Sequence, residues 1–185
     1  KDGSYSYTPN ANFNGKDSFT YTVTDGTETI TKTANMTVAS VNDVPISKDS
    51  TIAATEDTIA TSKLEAATDA DGDALTYAIA TNAANGKVVI DKDGSYSYTP
   101  NANFNGEDSF TYTINDGKGG VITQTATVNV AAGNDAPVSA NTTIAATEDT
   151  VAKDFLAKAT DVDGDALTYT LATGAANGKV TIGKD

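Results

Sequence analysis

Residues 92–114 read KDGSYSYTPNANFNGEDSFTYTI, and large apolar side chains take every second position near both ends of this stretch. These side chains are Tyr96, Tyr98, Phe110, Tyr112 and Ile114, and serine or threonine separates them. A period of two is typical of a β-strand that packs one face on a core and turns the other to water. The stretch therefore predicts two half-buried strands.

The sequence is an internal repeat. Residues 92–106 repeat residues 1–15 without a change, at an offset of 91, and the Asn-Asp-x-Pro at 42–45 returns at 134–137. A period of about 92 residues exceeds a solenoid repeat and matches an independent sandwich domain. We predict one complete repeat at 42–133, preceded at 1–41 by the last three strands of a repeat and followed at 134–185 by the first four strands of another.

Other alternating runs complete the strand pattern of the repeat. They lie at 51–54, 59–64, 75–79, 87–90 and 125–130, which brings the total to about seven. Asp93-Gly94 predicts a tight hairpin turn, because glycine tolerates the positive φ that such turns need. The expected fold class is all-β, with tandem Ig-like Greek-key β-sandwiches of about seven antiparallel strands each.

Composition narrows the classes of function. The formal net charge of −13 disfavours nucleic acid and anionic membrane surfaces as partners and favours cations. The chain has no Cys and no His, and it lacks a Gly-x-Ser-x-Gly motif and a phosphate-binding loop. No apolar run approaches the ~20 residues that span a bilayer. We therefore expect neither an enzyme nor membrane insertion of this segment.

Several ordered motifs resemble a known family. They are Asp71-Gly72-Asp73-Ala74-Leu75, Asn85-Gly86-Lys87-Val88, and the runs at 93–100, 104–112 and 116–117. Together they resemble the bacterial cadherin-like tandem repeat, found in the extender regions of large RTX-type adhesins and biofilm proteins. This resemblance implies a cadherin-like sandwich in a secreted array on the bacterial cell surface. Such an array projects a distal binding domain in cell adhesion or biofilm formation and binds calcium at its domain junctions.

The residues themselves offer calcium ligands. Asp69, Asp71 and Asp73 lie two residues apart in a turn, a spacing that points several carboxylates at one ion if the backbone curls. An EF-hand is excluded, because positions six and twelve counted from Asp69 hold Ala74 and Ala80. The Gly-Gly-x-Gly-x-Asp pattern of RTX calcium repeats is absent as well.

The cadherin-like resemblance implies a ligand set at each junction. At the first junction the ligands would be Asn42, Asp43, Glu56, Asp57, Asp69, Asp71 and Asp73, with Asp25 from the preceding repeat. At the second junction they would be Asn134, Asp135, Glu148, Asp149, Asp161, Asp163 and Asp165, with Asp116 from the preceding repeat.

Two other interpretations remain open. The alternating tyrosines would suit a lectin-like or homophilic binding module if they faced solvent, although alternation with serine favours a place in the core. Half-repeats with an open apolar face would also suit a fibre or surface-layer protein, in which the tail of one chain completes the head of the next. Neighbouring repeats are therefore expected partners in each interpretation.

Overall fold

Nine β-strands and no helix form among residues 2–183, the part of the chain that this computed structural model describes. Two precede the complete repeat: β1 (Gly15–Thr24) and β2 (Thr29–Val38). Seven belong to it: β3 (Ser50–Thr55), β4 (Ala60–Lys63), β5 (Thr76–Thr81), β6 (Gly86–Ile90), β7 (Ser95–Pro100), β8 (Gly106–Asn115) and β9 (Val121–Ala131). The described chain divides into two units, residues 2–131 and residues 132–183.

The seven strands of the repeat form two sheets. One has the order β3-β9-β8-β5 and the other has the order β4-β7-β6. The predicted all-β sandwich of about seven strands is thereby confirmed. The expectation of purely antiparallel pairing is wrong for one pair, because β3 runs parallel to β9, from Ser50 beside Ala126 to Thr55 beside Ala131. The first strand of the repeat, β3, therefore lies at the edge of its sheet, next to the last strand, β9.

The inward faces of the two sheets make the core. Its buried apolar residues are Ile52, Leu64, Val88, Tyr96, Tyr98, Phe110, Tyr112, Ile114, Ala126, Val128 and Val130. The alternation predicted for 95–98 and 110–114 sends the large side chains inward, each contributing roughly 1.5–3 kcal/mol by burial. The predicted turn is present: Gly94 has φ +83° and its N–H donates to the Asp91 carbonyl.

The pairing pattern explains why the flanking half-repeats form fewer strands. In the complete repeat each of the first four strands pairs only with one of the last three, and β8 with β9 is the one pair inside a half. Residues 2–41 contain the pair β1 with β2, which is the counterpart of β8 with β9. Residues 4–9 form no strand, so two of the three predicted strands are present.

Residues 132–183 contain none of the four predicted strands, because all their pairing partners would come from the other half. One isolated bridge, Val138 with Thr160, remains, and it repeats the bridge of Ile46 with Thr68 in the complete repeat. The number of strands in a half-repeat therefore follows from topology rather than from local propensity.

Candidate metal centre

The loop between Thr68 and β5 gathers three carboxylates. The Asp69 Oδ1 accepts the backbone N–H of Asp71 at 3.0 Å and that of Asp73 at 3.2 Å, which curls the chain around it. Gly72 turns the loop with φ +77°. As a result Asp69, Asp71 and Asp73 each offer an oxygen within 4.8 Å of the others.

The second oxygen of Asp69 has no partner. Its Oδ2 is buried and accepts no hydrogen bond within the described chain. A buried carboxylate oxygen without a donor lowers the stability of the fold by roughly 1–3 kcal/mol or more, because it has lost its hydrogen bonds to water and has gained none in the protein. A cation would satisfy it. Three clustered carboxylates and a chain without Cys or His fit a hard, oxygen-seeking ion such as Ca²⁺ rather than a zinc ion held by thiolates or imidazoles.

The linker before the repeat is tied to this loop. The Asp43 N–H donates to the Asp71 Oδ2 at 2.7 Å, and the Ser40 hydroxyl lies 3.4 Å from the Asp71 Oδ1. A cavity of about 480 Å³ opens at the same place, lined by Asn14, Ser40, Asn42, Asp71, Asp73 and Lys118. The structure thus brings together Asn42, Asp43 and the predicted loop.

Asp116, which the sequence grouped with the second junction, lies beside Asn42 of the first linker. Its carboxylate is 3% exposed and accepts the Asn42 side-chain N–H at 2.8 Å, the Lys118 N–H at 2.7 Å and the Gly120 N–H at 2.9 Å. The Asn42 amide lowers the pKa of Asp116, and the backbone N–H groups add to this against the effect of burial. Through these hydrogen bonds Asp116 ties the β8–β9 loop to the linker.

Glu56 and Asp57 lie at the opposite end of the repeat. The Glu56 N–H donates to the Ala131 carbonyl at 3.0 Å, and its carboxylate accepts the Asn105 side-chain N–H at 3.0 Å. The Asp57 Oδ1 accepts the Asn103 N–H at 3.2 Å. The ten residues of β8 separate this end from Asp116, a distance of about 33 Å at 3.3 Å per residue. The structure therefore does not bring these two acids to the Asp69 loop.

Asp25 is also remote from the linker. Its Oδ1 accepts the N–H groups of Thr27 and Glu28, both at 2.8 Å, inside the β1–β2 turn. These bonds lower the pKa of Asp25. The turn lies at the far end of the ten-residue β1 from Asn14, which lines the cavity. Asp25 therefore caps its own turn.

The second unit repeats the loop and its link to the chain before it. Asp161, Asp163 and Asp165 again offer oxygens within 4.8 Å of one another, and the Asp135 N–H donates to the Asp163 Oδ2 at 2.7 Å. The Asn134 side chain donates to the Asp135 carbonyl at 3.0 Å. Glu148 and Asp149 lie in an exposed turn after Thr147.

Sequence reasoning missed three residues of the first cavity: Asn14, Ser40 and Lys118. The sequence could have identified Asn14, because its motif Phe13-Asn14-Gly15 is repeated at residues 104–106, where β8 begins. Ser40 and Lys118 had no such signal, because a lone serine or lysine in a polar segment carries no pattern.

Family comparisons agree with this architecture. A bacterial cadherin-like domain model matches residues 42–132, a cadherin-like domain model matches residues 1–39, and a bacterial Ig domain model matches residues 134–185. Residues 1–39 and 42–132 therefore belong to cadherin-like repeats. Such domains are usually extracellular or surface-exposed, are typically non-enzymatic and generally bind calcium.

A solved structure of cadherin domains shows the same fold. The extracellular cadherin domains 1–4 of protocadherin gamma B7 match with a TM-score of 0.53 and 17% identity, over 80% of this chain and 41% of that one. Two endo-fucoidan hydrolases of glycoside hydrolase family 107 match with TM-scores of 0.42 and 0.38 and identities of 22% and 26%. They cover 71% and 68% of this chain, which spans 22% and 20% of theirs. The comparison with curated proteins gave no match.

Within the described residues, no helix has the length and apolar character needed to cross a bilayer.

Proposed function

We propose that this chain is a non-catalytic, calcium-stabilised extender segment of a large secreted bacterial adhesin, projecting a distal binding domain from the cell surface in adhesion or biofilm formation. The repeats would be divided at 1–41, 42–133 and 134–185, and the family matches at 1–39, 42–132 and 134–185 support this division. One observation carries the proposal: the buried, unpartnered Asp69 Oδ2 lies in a three-carboxylate loop that is bonded to the linker through Asp43.

The proposed ligands follow from this geometry. Asp69, Asp71 and Asp73 would hold the first ion, with Asn42, Asp43 and Asn14 close enough to contribute oxygens directly or through water. Asp161, Asp163 and Asp165, with Asn134 and Asp135, would serve the second loop in the same way.

Calcium would act on stability and stiffness together. Without an ion, three carboxylates within 4.8 Å repel one another, and the loop that holds the linker loosens. With an ion bound, the same oxygens attract a common centre, and the Asp43 to Asp71 bond keeps the linker against the repeat. High external calcium would therefore favour a straight, extended stalk, and low calcium a flexible one.

The first test compares thermal unfolding in EDTA and in millimolar calcium, with titration calorimetry for stoichiometry. Calcium at one hundred times its Kd should stabilise the chain by about 2.7 kcal/mol per site that binds only the folded state. Asp69→Asn keeps an oxygen for the Asp71 and Asp73 N–H groups but replaces the unpartnered oxygen with a donor. The substitution should lower calcium affinity at the first loop at least tenfold. A loss of about that size is already typical when a residue that only hydrogen-bonds to a metal ligand is replaced.

The control is Asp91→Asn, which removes one exposed carboxylate from a hairpin turn and should leave calcium binding unchanged. If calcium failed to raise the unfolding temperature of the unaltered chain, the acidic loops would be turns without a metal, and the proposal would fall back to a metal-independent spacer.

A second candidate, assembly through complementary half-repeats, rests on unequal exposure of equivalent residues. Tyr5 is 72% exposed whereas its counterpart Tyr96 is 9% exposed, and Phe19 is 36% exposed whereas Phe110 is 2% exposed. The open face of residues 2–41 is therefore a surface for strands like β3 to β6, which cover the equivalent face in the complete repeat. The lectin-like alternative gains no such support, because Tyr96 and Tyr98 are buried.

A further inference from the structure

The loop between β8 and β9 is fixed in place by Asp116. The Asp116 carboxylate accepts N–H groups from Lys118 and Gly120, and the Asn42 side chain holds it from the linker. A Cβ on Gly120 would clash with the Asp116 Oδ2 and lie 3.1 Å from the Val44 Cα, so this loop has no room to shift toward the linker. The backbone of Lys118 is consequently held at one position.

Lys118 is a cation beside the acidic loop. It lines the same cavity as Asp71 and Asp73, and among the described residues its ammonium forms no ion pair. The side chain is exposed, so its field acts on the carboxylates through water and is screened by salt. Lys118 therefore offsets part of the negative charge of Asp71 and Asp73 when no metal is bound, and opposes an incoming cation.

The two copies of this loop differ in length and in charge. Residues 1–15 and 92–106 are identical, but the turn Asp25-Gly26-Thr27-Glu28 of the first copy becomes Asp116-Gly117-Lys118-Gly119-Gly120 in the second. The longer turn has lost the anion Glu28 and has gained the cation Lys118 at the position of Thr27, at the end of the repeat that meets its own linker.

We propose that the β8–β9 loop sets the calcium affinity of the junction that precedes its repeat, and that Lys118 lowers that affinity while stabilising the calcium-free form. The inference rests on the proposed calcium function and adds its regulation. Repeats with different loops would then bind calcium over different concentration ranges, so the joints of one stalk would stiffen in sequence as calcium rises.

The test measures calcium affinity by titration calorimetry in a chain whose second loop is silenced by Asp161→Asn. Lys118→Gln should bind calcium about two- to fivefold more tightly than the parent, and Lys118→Glu more tightly still, as expected for removing or reversing an exposed charge that lines the same cavity. In EDTA both variants should unfold at a lower temperature than the parent. Both effects should shrink in high salt.

The matched control is Lys87→Gln, an exposed lysine on β6 at the opposite end of the repeat, which should change neither quantity. If the parent binds calcium but Lys118→Glu binds it equally well, this inference is overturned and the proposed function stands. An equal change in Lys87→Gln would also overturn it, by reducing the effect to net charge. If the parent binds no calcium, both the proposed function and this inference fail.

Discussion

Asp108 accepts four hydrogen bonds although its side chain is buried in the sandwich. The donors are the backbone N–H groups of Ala84, Asn85 and Ser109 and the Tyr98 hydroxyl, at 2.8–3.1 Å. The carboxylate thereby joins the β5–β6 connection to β7 and β8.

Asp108→Asn should destabilise the repeat by roughly 2–3 kcal/mol, because the new amide turns a donor toward groups that are themselves donors and leaves buried polar groups unsatisfied. Chemical unfolding followed by tyrosine fluorescence would measure the change. Glu107→Gln alters the neighbouring exposed carboxylate and is expected to cost little. Equal costs for the two variants would contradict this account of Asp108.

The same residue gives a pH dependence with a definite sign. Burial alone raises the pKa of Asp108, but the hydrogen bonds from Ser109, Tyr98, Asn85 and Ala84 outweigh it and lower the pKa below its ordinary value. A carboxyl with a lowered folded-state pKa contributes stability that is present above its unfolded pKa of about 4 and is lost as pH falls further. Unfolding followed from pH 6 to pH 3 should show this loss in the parent chain and a smaller one in Asp108→Asn.

The β8–β9 hairpin loop is the element that joins the sandwich to its linker. Gly120→Ala should destabilise the repeat by roughly 1–3 kcal/mol, because its Cβ would clash with the Asp116 Oδ2 and would break the hydrogen bonds that hold the loop. The φ of Gly120 is not in the left-handed region, so the cost comes from contact rather than from backbone strain.

Gly174→Ala provides the comparison for Gly120→Ala, since a Cβ at Gly174 meets nothing within 4 Å and its φ is also unstrained. Thermal unfolding should show a clear decrease for Gly120→Ala and almost none for Gly174→Ala. Equal unfolding temperatures for Gly120→Ala and the parent would mean that the loop moves freely and does not hold the linker.

Elements also show how far sequence reasoning reached. The alternation of apolar and polar residues predicted the seven strands of 42–133, because a strand that buries one face has apolar residues at every second position. The parallel β3–β9 pair was not predicted, since local pattern does not encode which edge a strand joins. For the same reason the sequence could not show that Asp116 lies beside Asn42, or that Glu56 lies about one β8 length from the Asp69 loop. Strand propensity likewise could not reveal that residues 132–183 contain no strand in this structure.

At the scale of the whole molecule, residues 42–131 hold a closed core whereas residues 2–41 expose an apolar face. The face is a row of aromatic side chains, with ring centroids of Tyr5 and Phe19 5.9 Å apart and those of Phe19 and Tyr21 6.4 Å apart. Equivalent residues of the complete repeat are buried under β3 to β6. An open patch of this kind favours association.

The full chain should therefore associate as its concentration rises, whereas a chain of residues 42–132 should stay monomeric, as measured by light scattering after size exclusion. Tyr21→Lys places a charge in the aromatic row and should weaken association. Thr20→Lys adds the same charge to the opposite face of β1 and should not. A full chain that remained monomeric at every concentration, or a 42–132 chain that associated equally, would place the contact elsewhere and leave the calcium loops as the basis for joining repeats.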